Sequence, residues 1–182
     1  MRLLKFIPAA VALAVAVPAH AEWAEYTDRA QHFTVNFPND PVVESIMYKT
    51  AKGTMLPAKL YSAKDARGGA YSIRVVDYSS APGEIGTAVL EAAAAERARG
   101  DLKYDAKEHQ NNMISQRTSV SLPDGRFLLT ETLADHGRLF TLEAQTPPKV
   151  PPPSQFQASL QVLDDTGKAI RYKSPGSEER VR

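Results

Sequence analysis

The chain of 182 residues contains no cysteine, which excludes disulfide bonds, thiol catalysis and thiolate metal sites. Neither sign of charge dominates, because 22 Lys and Arg residues and 21 Asp and Glu residues give a net charge of +1. A nucleic-acid-binding protein would carry a basic patch, so nucleic acid is not expected as a partner. No second long apolar run follows the first 21 residues, so no integral membrane segment is predicted there.

Motifs of common enzyme sites are also missing. The sequence has no P-loop and none of the patterns G-x-G-x-x-G, G-x-S-x-G or H-E-x-x-H. His32, His109 and His136 are separated along the chain, and each is interpreted as a surface residue rather than a metal ligand. The run from Asp164 to Gly167 lacks the alternating ligands of a calcium loop and predicts a plain turn. No catalytic residue, metal ligand or cofactor is therefore predicted.

The first 21 residues have the pattern of a secretory signal peptide. Two basic residues, Arg2 and Lys5, stand at the start, and the apolar run Leu3 to Val17 ends before Ala19 and Ala21. This order predicts cleavage after Ala21 and a periplasmic or secreted product. A membrane anchor is the alternative, but the apolar run is shorter than the ~20 residues that a span needs. Loss of the two basic residues would leave a formal charge of −1.

The remainder predicts a single α+β domain over residues 22–172, followed by a disordered tail over 173–182. Apolar alternation and turn signals predict strands at 32–37, 42–48, 55–63 and 71–78. Pro57 cannot donate a ladder hydrogen bond, so we expect its strand at a sheet edge or a bulge. A helix is predicted from Glu84 to Arg99, with Gly100 after it. The polar stretch carrying Asp101, Asp105 and Glu108 is interpreted as a solvated linker.

Three strands then form a predicted meander, at 113–122, 126–133 and 138–144. Asp124-Gly125 and His136-Gly137 are interpreted as two-residue turns. That reading places Val120 opposite Leu129, and Leu129 opposite Ala144. It gives the meander one apolar and one mainly polar face, as in an antiparallel sheet that is covered on one side.

Glu131 is the one charged residue that this register places on the apolar face, opposite Thr118 and Leu142. A buried carboxylate without a partner has a raised pKa, which is a mark of functional sites. The favoured interpretation is structural, with Glu131 at the end of the sheet or paired with an arginine that fixes the register. Glu131 is accordingly the candidate residue to test.

The segment from Pro147 to Pro153 is interpreted as a stiff crossover, with a polyproline ligand for a partner as the alternative. Ser154 and Gln157 match a capping box at the start of a second helix. Residues 169–172 predict a short final strand. Trp23 is expected either to cap the core or to mark a contact surface.

The motif F-x-V-x-F-P at Phe33 to Pro38 opens this order of elements, and F-x-x-S-L at Phe156 to Leu160 follows the crossover. With the helix and the meander between them, the chain resembles the Mog1/PsbP-like α/β/α sandwich, which includes exported bacterial proteins. The resemblance covers most of residues 25–163. It implies a mainly antiparallel sheet with about two helices packed on it, and an accessory or binding role without catalytic residues.

Three functions remain open from the sequence. The first is a non-catalytic exported accessory or binding domain, whose partner is a protein or a small molecule. The second is a small periplasmic hydrolase that uses a cleft carboxylate such as Glu131, since catalytic groups can converge from distant positions. The third is a structural protein associated with the cell envelope. A cleft with converging titratable groups would favour the enzyme, and an exposed apolar patch would favour a partner surface.

Overall fold

Two antiparallel sheets and two helices make up the residues that the computed structural model describes, 23–152 and 154–172. The predicted signal peptide (1–21) and tail (173–182) lie outside these residues. The small sheet has the order β1-β2-β10, with β1 (Ala24–Asp28), β2 (Phe33–Phe37) and β10 (Gln161–Val162). The large sheet has the order β3-β4-β5-β9-β8-β7-β6. Its strands are β3 (Val42–Lys49), β4 (Met55–Lys64), β5 (Ala70–Asp77), β6 (Asp101–Gln110), β7 (Met113–Ser121), β8 (Phe127–Asp135) and β9 (Arg138–Thr146).

Both faces of the large sheet are covered. The small sheet and helix α2 (Gln155–Ala158) pack on one face over a core rich in aromatic rings. Helix α1 (Ile85–Arg97) packs on the other face through its buried alanines Ala88, Ala92 and Ala93. The predicted fold class, one α+β domain with a mainly antiparallel sheet and two helices, is confirmed. Trp23 caps the first core, with its ring 4.7 Å from that of Tyr71.

Pro57 lies inside the sheet rather than at its edge, because β4 stands between β3 and β5. It pairs with Met47 on the β3 side, while the pairing with β5 ends one residue later, at Ala58 and Val76. The missing N–H therefore falls just beyond the β4–β5 ladder, which is why a proline is tolerated there.

The interpretation of residues 101–110 as a solvated linker is wrong, because they form strand β6 at the edge of the large sheet. Asp101, Asp105 and Glu108 are side chains of that strand. An edge strand can carry charge on both faces, so it lacks the apolar alternation that marks a half-buried strand. The short strands β1 and β10 also escaped prediction, and both are held by pairing with β2.

The predicted register of the first meander hairpin is wrong by one residue. The amide of Leu122 donates to the carbonyl of Arg126 at 2.8 Å, so three residues form the loop rather than two. Gly125 has a positive φ of 82°, as such loops require at their last position. Val120 consequently pairs with Leu128 rather than Leu129. The second hairpin has the predicted register, with Leu129 opposite Ala144.

This shift also corrects the assignment of faces. Leu129 is half-buried and lies opposite Ser119, whereas the side chains of Ile114 and Val120 share the α1 side with Leu128. The predicted polar face is not solvated, since Thr130, Thr132 and Thr141 on it are buried. The alanines of α1 allow the helix to approach these small side chains closely.

Helix α2 has only four residues, and Ser154 at its start makes no side-chain capping bond. Gln157 is instead fully buried, and its Nε2 donates to the carbonyl of Leu129 at 3.2 Å. The capping-box interpretation is therefore wrong, because burial directs Gln157 towards the sheet. Residues 169–172 form isolated bridges rather than a strand, with Ala169 opposite Leu163 and a second bridge residue at Tyr172. The predicted turn at Asp164 is present, with its Oδ1 accepting from the amide of Thr166 at 2.9 Å.

Candidate functional site

Glu131 is 1% exposed and its carboxylate is fully engaged within the sheet. Ser115 Oγ donates to Oε1 at 2.7 Å, and Arg117 Nε donates to Oε2 at 3.0 Å. Leu142 stands opposite Glu131 as predicted, but its neighbour on β7 is Arg117 rather than Thr118. The difference follows from the three-residue loop, which moves every β7 partner by one position.

Arg117 extends this contact to the edge strand. Its Nη1 lies 3.0 Å from Oε2 of Glu108 on β6, and the hydroxyl of Tyr104 donates to the other oxygen of Glu108 at 2.7 Å. Burial would lower the pKa of Arg117, but the hydrogen bond and charge of Glu131 raise it above its usual value. The contacts from Tyr104 through Glu108 and Arg117 to Glu131 therefore link β6, β7 and β8. Three surface grooves, with volumes of about 350, 450 and 490 Å³, are lined by other residues and not by Glu131.

The three histidines are not brought together. His32 Nδ1 is 3.2 Å from the carbonyl of Leu163, and His109 is exposed on β6. His136 Nδ1 lies 2.8 Å from Oδ2 of Asp135, whose other oxygen accepts from the hydroxyl of Tyr172 at 2.6 Å. Among the described residues, no group of three His, Asp or Glu side chains has the spacing to hold a metal ion.

Among the residues that the structure describes, several exposed apolar side chains lie together at the β3 edge of the large sheet. Val43 is 43% exposed, Met47 is 58% exposed and Met55 on β4 is 51% exposed. Their register places all three on the same face of the sheet, beside Pro57. A groove of about 350 Å³ runs along this corner between Ser45, Met47 and Lys59. An apolar cluster of this kind on the surface of a domain marks a contact site.

The backbone of β3 adds hydrogen-bonding groups that have no partner within residues 23–152 and 154–172. The amide of Thr50 donates to the carbonyl of Thr54 at 2.8 Å, so this pair is hydrogen-bonded. Hydrogen-bonded pairs alternate in an antiparallel ladder, so Ile46 also directs its amide and carbonyl towards β4. Val43, Ser45 and Met47 direct theirs away from the sheet. We call this row of groups, with the exposed side chains beside it, the β3 edge.

The sequence predicted β3 as a strand but not its position at an edge. The letters V-V-E-S-I-M-Y contain apolar residues on both faces, a pattern that indicates an internal strand as readily as an edge. The order of strands, which sequence alone does not fix, makes this surface available. Within the described residues, no helix has the length and apolar character needed to cross a membrane.

Comparison with known proteins gives a likeness of fold. No family model matches the chain, and no curated protein matches it. A solved structure that is similar to it is the solution structure of cyanobacterial PsbP (CyanoP) from Synechocystis sp. PCC 6803. The two share 13% sequence identity with a TM-score of 0.51, over 85% of this chain and 98% of that chain. The resemblance drawn from the sequence is therefore confirmed at the level of architecture, and the chain has a PsbP/Mog1-like fold.

Proposed function

We propose that this protein is a non-catalytic accessory module, exported to the periplasm or beyond, which captures an extended segment of a partner protein on the β3 edge. The observation that carries the proposal is the outward row of amides and carbonyls at Val43, Ser45 and Met47. An extended peptide can satisfy those groups by adding a strand to the sheet.

The side chains beside the edge favour an apolar partner strand. Val43 and Met47 lie on the same face as the groove that passes Pro57 and Lys59. Alternate side chains of an added strand would project over that face and contact them. Methionine adapts its shape to different partners, which suits a capture surface. The expected partner segment is therefore an extended strand with apolar residues at every second position.

The contacts of Glu131 disfavour the alternative in which it acts as the cleft carboxylate of a hydrolase. Both carboxylate oxygens accept hydrogen bonds from Ser115 and Arg117, and the side chain is almost completely buried. A general acid or base needs to reach a substrate proton directly or through a water molecule. We assign Glu131 a positioning role in which it fixes the register of β7 and β8 through Arg117.

Capture from periplasmic extract with edge-specific variants tests the proposal. Ser45→Pro removes an outward N–H and should leave the β3–β4 ladder intact. His109→Pro is the matched control. Asn111 and Asn112 have positive φ and form the β6–β7 turn, so Gln110 is hydrogen-bonded to Met113 and His109 directs its amide outward from β6. We expect the wild type and the His109→Pro variant to capture the same protein. The Ser45→Pro variant should capture at least about tenfold less of it.

Binding that persists in a folded Ser45→Pro variant would contradict the proposal, as would equal loss in both proline variants. Recovery of a second copy of this chain as the edge-dependent partner would replace a heterologous partner with self-association. A hydrolase screen of wild type and Glu131→Gln forms the second arm. Turnover that Glu131→Gln abolishes without unfolding the domain would overturn the non-catalytic assignment.

A further inference from the structure

A second groove, remote in sequence from β3, opens where the amino end of α1 crosses β7 and β8. Its volume is about 490 Å³, and its apolar lining is Ile85, Val89, Leu90, Ile114 and Ala134. Leu90 on the helix is 58% exposed and Ile114 on the strand is 42% exposed. This size and lining are typical of a site for a small molecule.

The groove is continuous with the core beneath α1. Ile85, Val89 and Ala134 are partly buried against the cluster that contains Tyr78 and Leu139. Its walls are therefore fixed by packed elements on both sides, the helix and the strands. A preformed apolar cleft can bind a ligand without ordering a mobile segment.

Most polar groups of the groove are already committed within the protein. Gln116 Nε2 donates to Asp105 Oδ1 at 2.7 Å, and Ser115 Oγ donates to Glu131. The carboxylate of Asp135 has the hydroxyl of Tyr172 on one oxygen and His136 Nδ1 beside the other. One oxygen of Asp135, the acid in the lining of the groove, is therefore engaged by a hydroxyl.

Lys107 is the lining group whose charge is not compensated. It is exposed on β6, and no carboxylate within the described residues lies in ion-pair distance of its ammonium. The amino end of α1, at Ile85 and Gly86, borders the same groove and adds the positive end of a helix dipole. The ammonium of Lys107 and this helix end therefore favour a negatively charged head group at this rim of the groove.

We propose that this groove binds a single-chain fatty-acid carboxylate, with the alkyl chain between Leu90 and Ile114 and the carboxylate at Lys107. The site goes beyond the capture function, because it shares no residue with the β3 edge. Its walls supply apolar burial, and its rim supplies the charge that orients the chain.

Calorimetric titration with dodecanoate tests the site, beside dodecyltrimethylammonium and dodecyl maltoside as probes with a cationic and a neutral head. All three are used below their micelle concentrations. We expect saturable binding of one dodecanoate per chain, at least about tenfold tighter than the cationic probe. Amide shifts in NMR spectra should cluster at residues 85–90, 114–116 and 134–137. Equal affinity for the three probes, or shifts confined to 43–47, would overturn the proposal.

Two variants test the walls and the charge separately. Leu90→Glu should weaken dodecanoate binding at least about tenfold, because it places a carboxylate against the alkyl chain. Lys107→Gln should weaken it about threefold to fivefold, as expected for an exposed ion pair. Leu102→Glu and Lys103→Gln are matched controls on β6 outside the groove, and should leave affinity unchanged. Equal weakening in these controls, or no effect of Leu90→Glu in a folded variant, would contradict the site.

Discussion

The two edges of the large sheet are built in opposite ways. Strand β6 carries five acidic or lysine side chains along its ten residues, and a bulge between Leu102 and Tyr104 interrupts its pairing with β7. Strand β3 carries only Glu44 and Lys49 along eight residues, and its register with β4 is continuous. Charges and bulges are devices by which proteins prevent an edge from pairing with another chain. Strand β6 has these protections and strand β3 largely lacks them.

The charges of β6 are also held in place by neighbouring elements. Asp105 pairs with Arg97 of α1 at 2.9 Å, and Glu108 pairs with Arg117 of β7. On β3, Val43 and Met47 are instead exposed beside unpaired backbone groups. An unprotected edge of this length promotes aggregation unless a partner covers it. The contrast therefore favours β3 over β6 as the edge for the proposed capture of a partner strand.

The largest expected effect on the free energy of unfolding concerns the contacts of Glu131 and Arg117 beside strand β6. Glu131→Ala would leave Arg117 with only Glu108 as an acidic partner, and we expect a loss of about 3 kcal/mol in the free energy of unfolding. Glu44→Ala on the open edge is the control and should change it by under about 0.5 kcal/mol. Urea denaturation measures both values. A loss below about 1 kcal/mol for Glu131→Ala would mean that the contact between Glu131 and Arg117 contributes little to stability.

A pair of prolines tests the direction of the β3 amides. Ile46→Pro removes a hydrogen bond to β4 and should cost at least about 2 kcal/mol. Ser45→Pro removes only an outward amide and should cost under about 1 kcal/mol. Thermal and urea unfolding compare the two variants. The reverse order of stabilities would show that Ser45, not Ile46, faces β4.

A charge placed on the β3 edge should prevent it from pairing with another chain, as the charges of β6 do at the opposite edge. Met47→Lys is expected to change the unfolding free energy by under about 0.5 kcal/mol, since the side chain is largely exposed. It should nevertheless slow aggregation of the isolated domain and weaken partner capture. Light scattering at fixed concentration follows aggregation. The control is Leu102→Lys on β6, where the side chain is also exposed. Met113→Lys would not serve, because Met113 is buried.

A pH dependence of stability is expected at the corner beside β3. Burial would raise the pKa of Asp28, but hydrogen bonds from Tyr61 and the amide of Gln31, with the charge of Lys59, lower it below its usual 3.8. The folded state therefore holds the carboxylate form more strongly than the unfolded chain does. This contribution is present above pH 4 and is lost as pH falls through the lowered value.

Asp28→Asn should therefore be less stable than the wild type at pH 7 by under about 1 kcal/mol, after allowance for solvent screening. The difference between the two proteins should shrink as the pH falls below 4. Denaturation curves between pH 7 and pH 2 measure it. A difference that stays constant over this range would mean that the Asp28 charge contributes nothing to the corner.

The sequence was sufficient to predict a strand where one face of that strand is apolar. Phe33, Val35 and Phe37 alternate cleanly, and the predicted strand is present because all three are buried in the first core. Strand β6 could not be predicted in the same way, since its side chains are held by ion pairs rather than by an apolar face. Its partners, Arg97 and Arg117, come from other elements, and only the fold brings them near.

The candidate site shows how a single turn limits prediction. Alternation placed Glu131 on the face that is in fact buried, yet its partner depended on the length of the loop at Asp124-Gly125. A two-residue turn would place it opposite Thr118, and the three-residue loop places it opposite Arg117. The same dipeptide occurs in both loop types, so local sequence could not distinguish them.

Amide hydrogen exchange along β3 tests the central claim most directly. In the free domain we expect slow exchange at Glu44, Ile46 and Tyr48, which bond to β4, and fast exchange at Val43, Ser45 and Met47. When the captured partner is bound, the second group should become protected while the amide of His109 on β6 does not change. Fast exchange that persists at Val43, Ser45 and Met47 in the complex would contradict capture by strand addition.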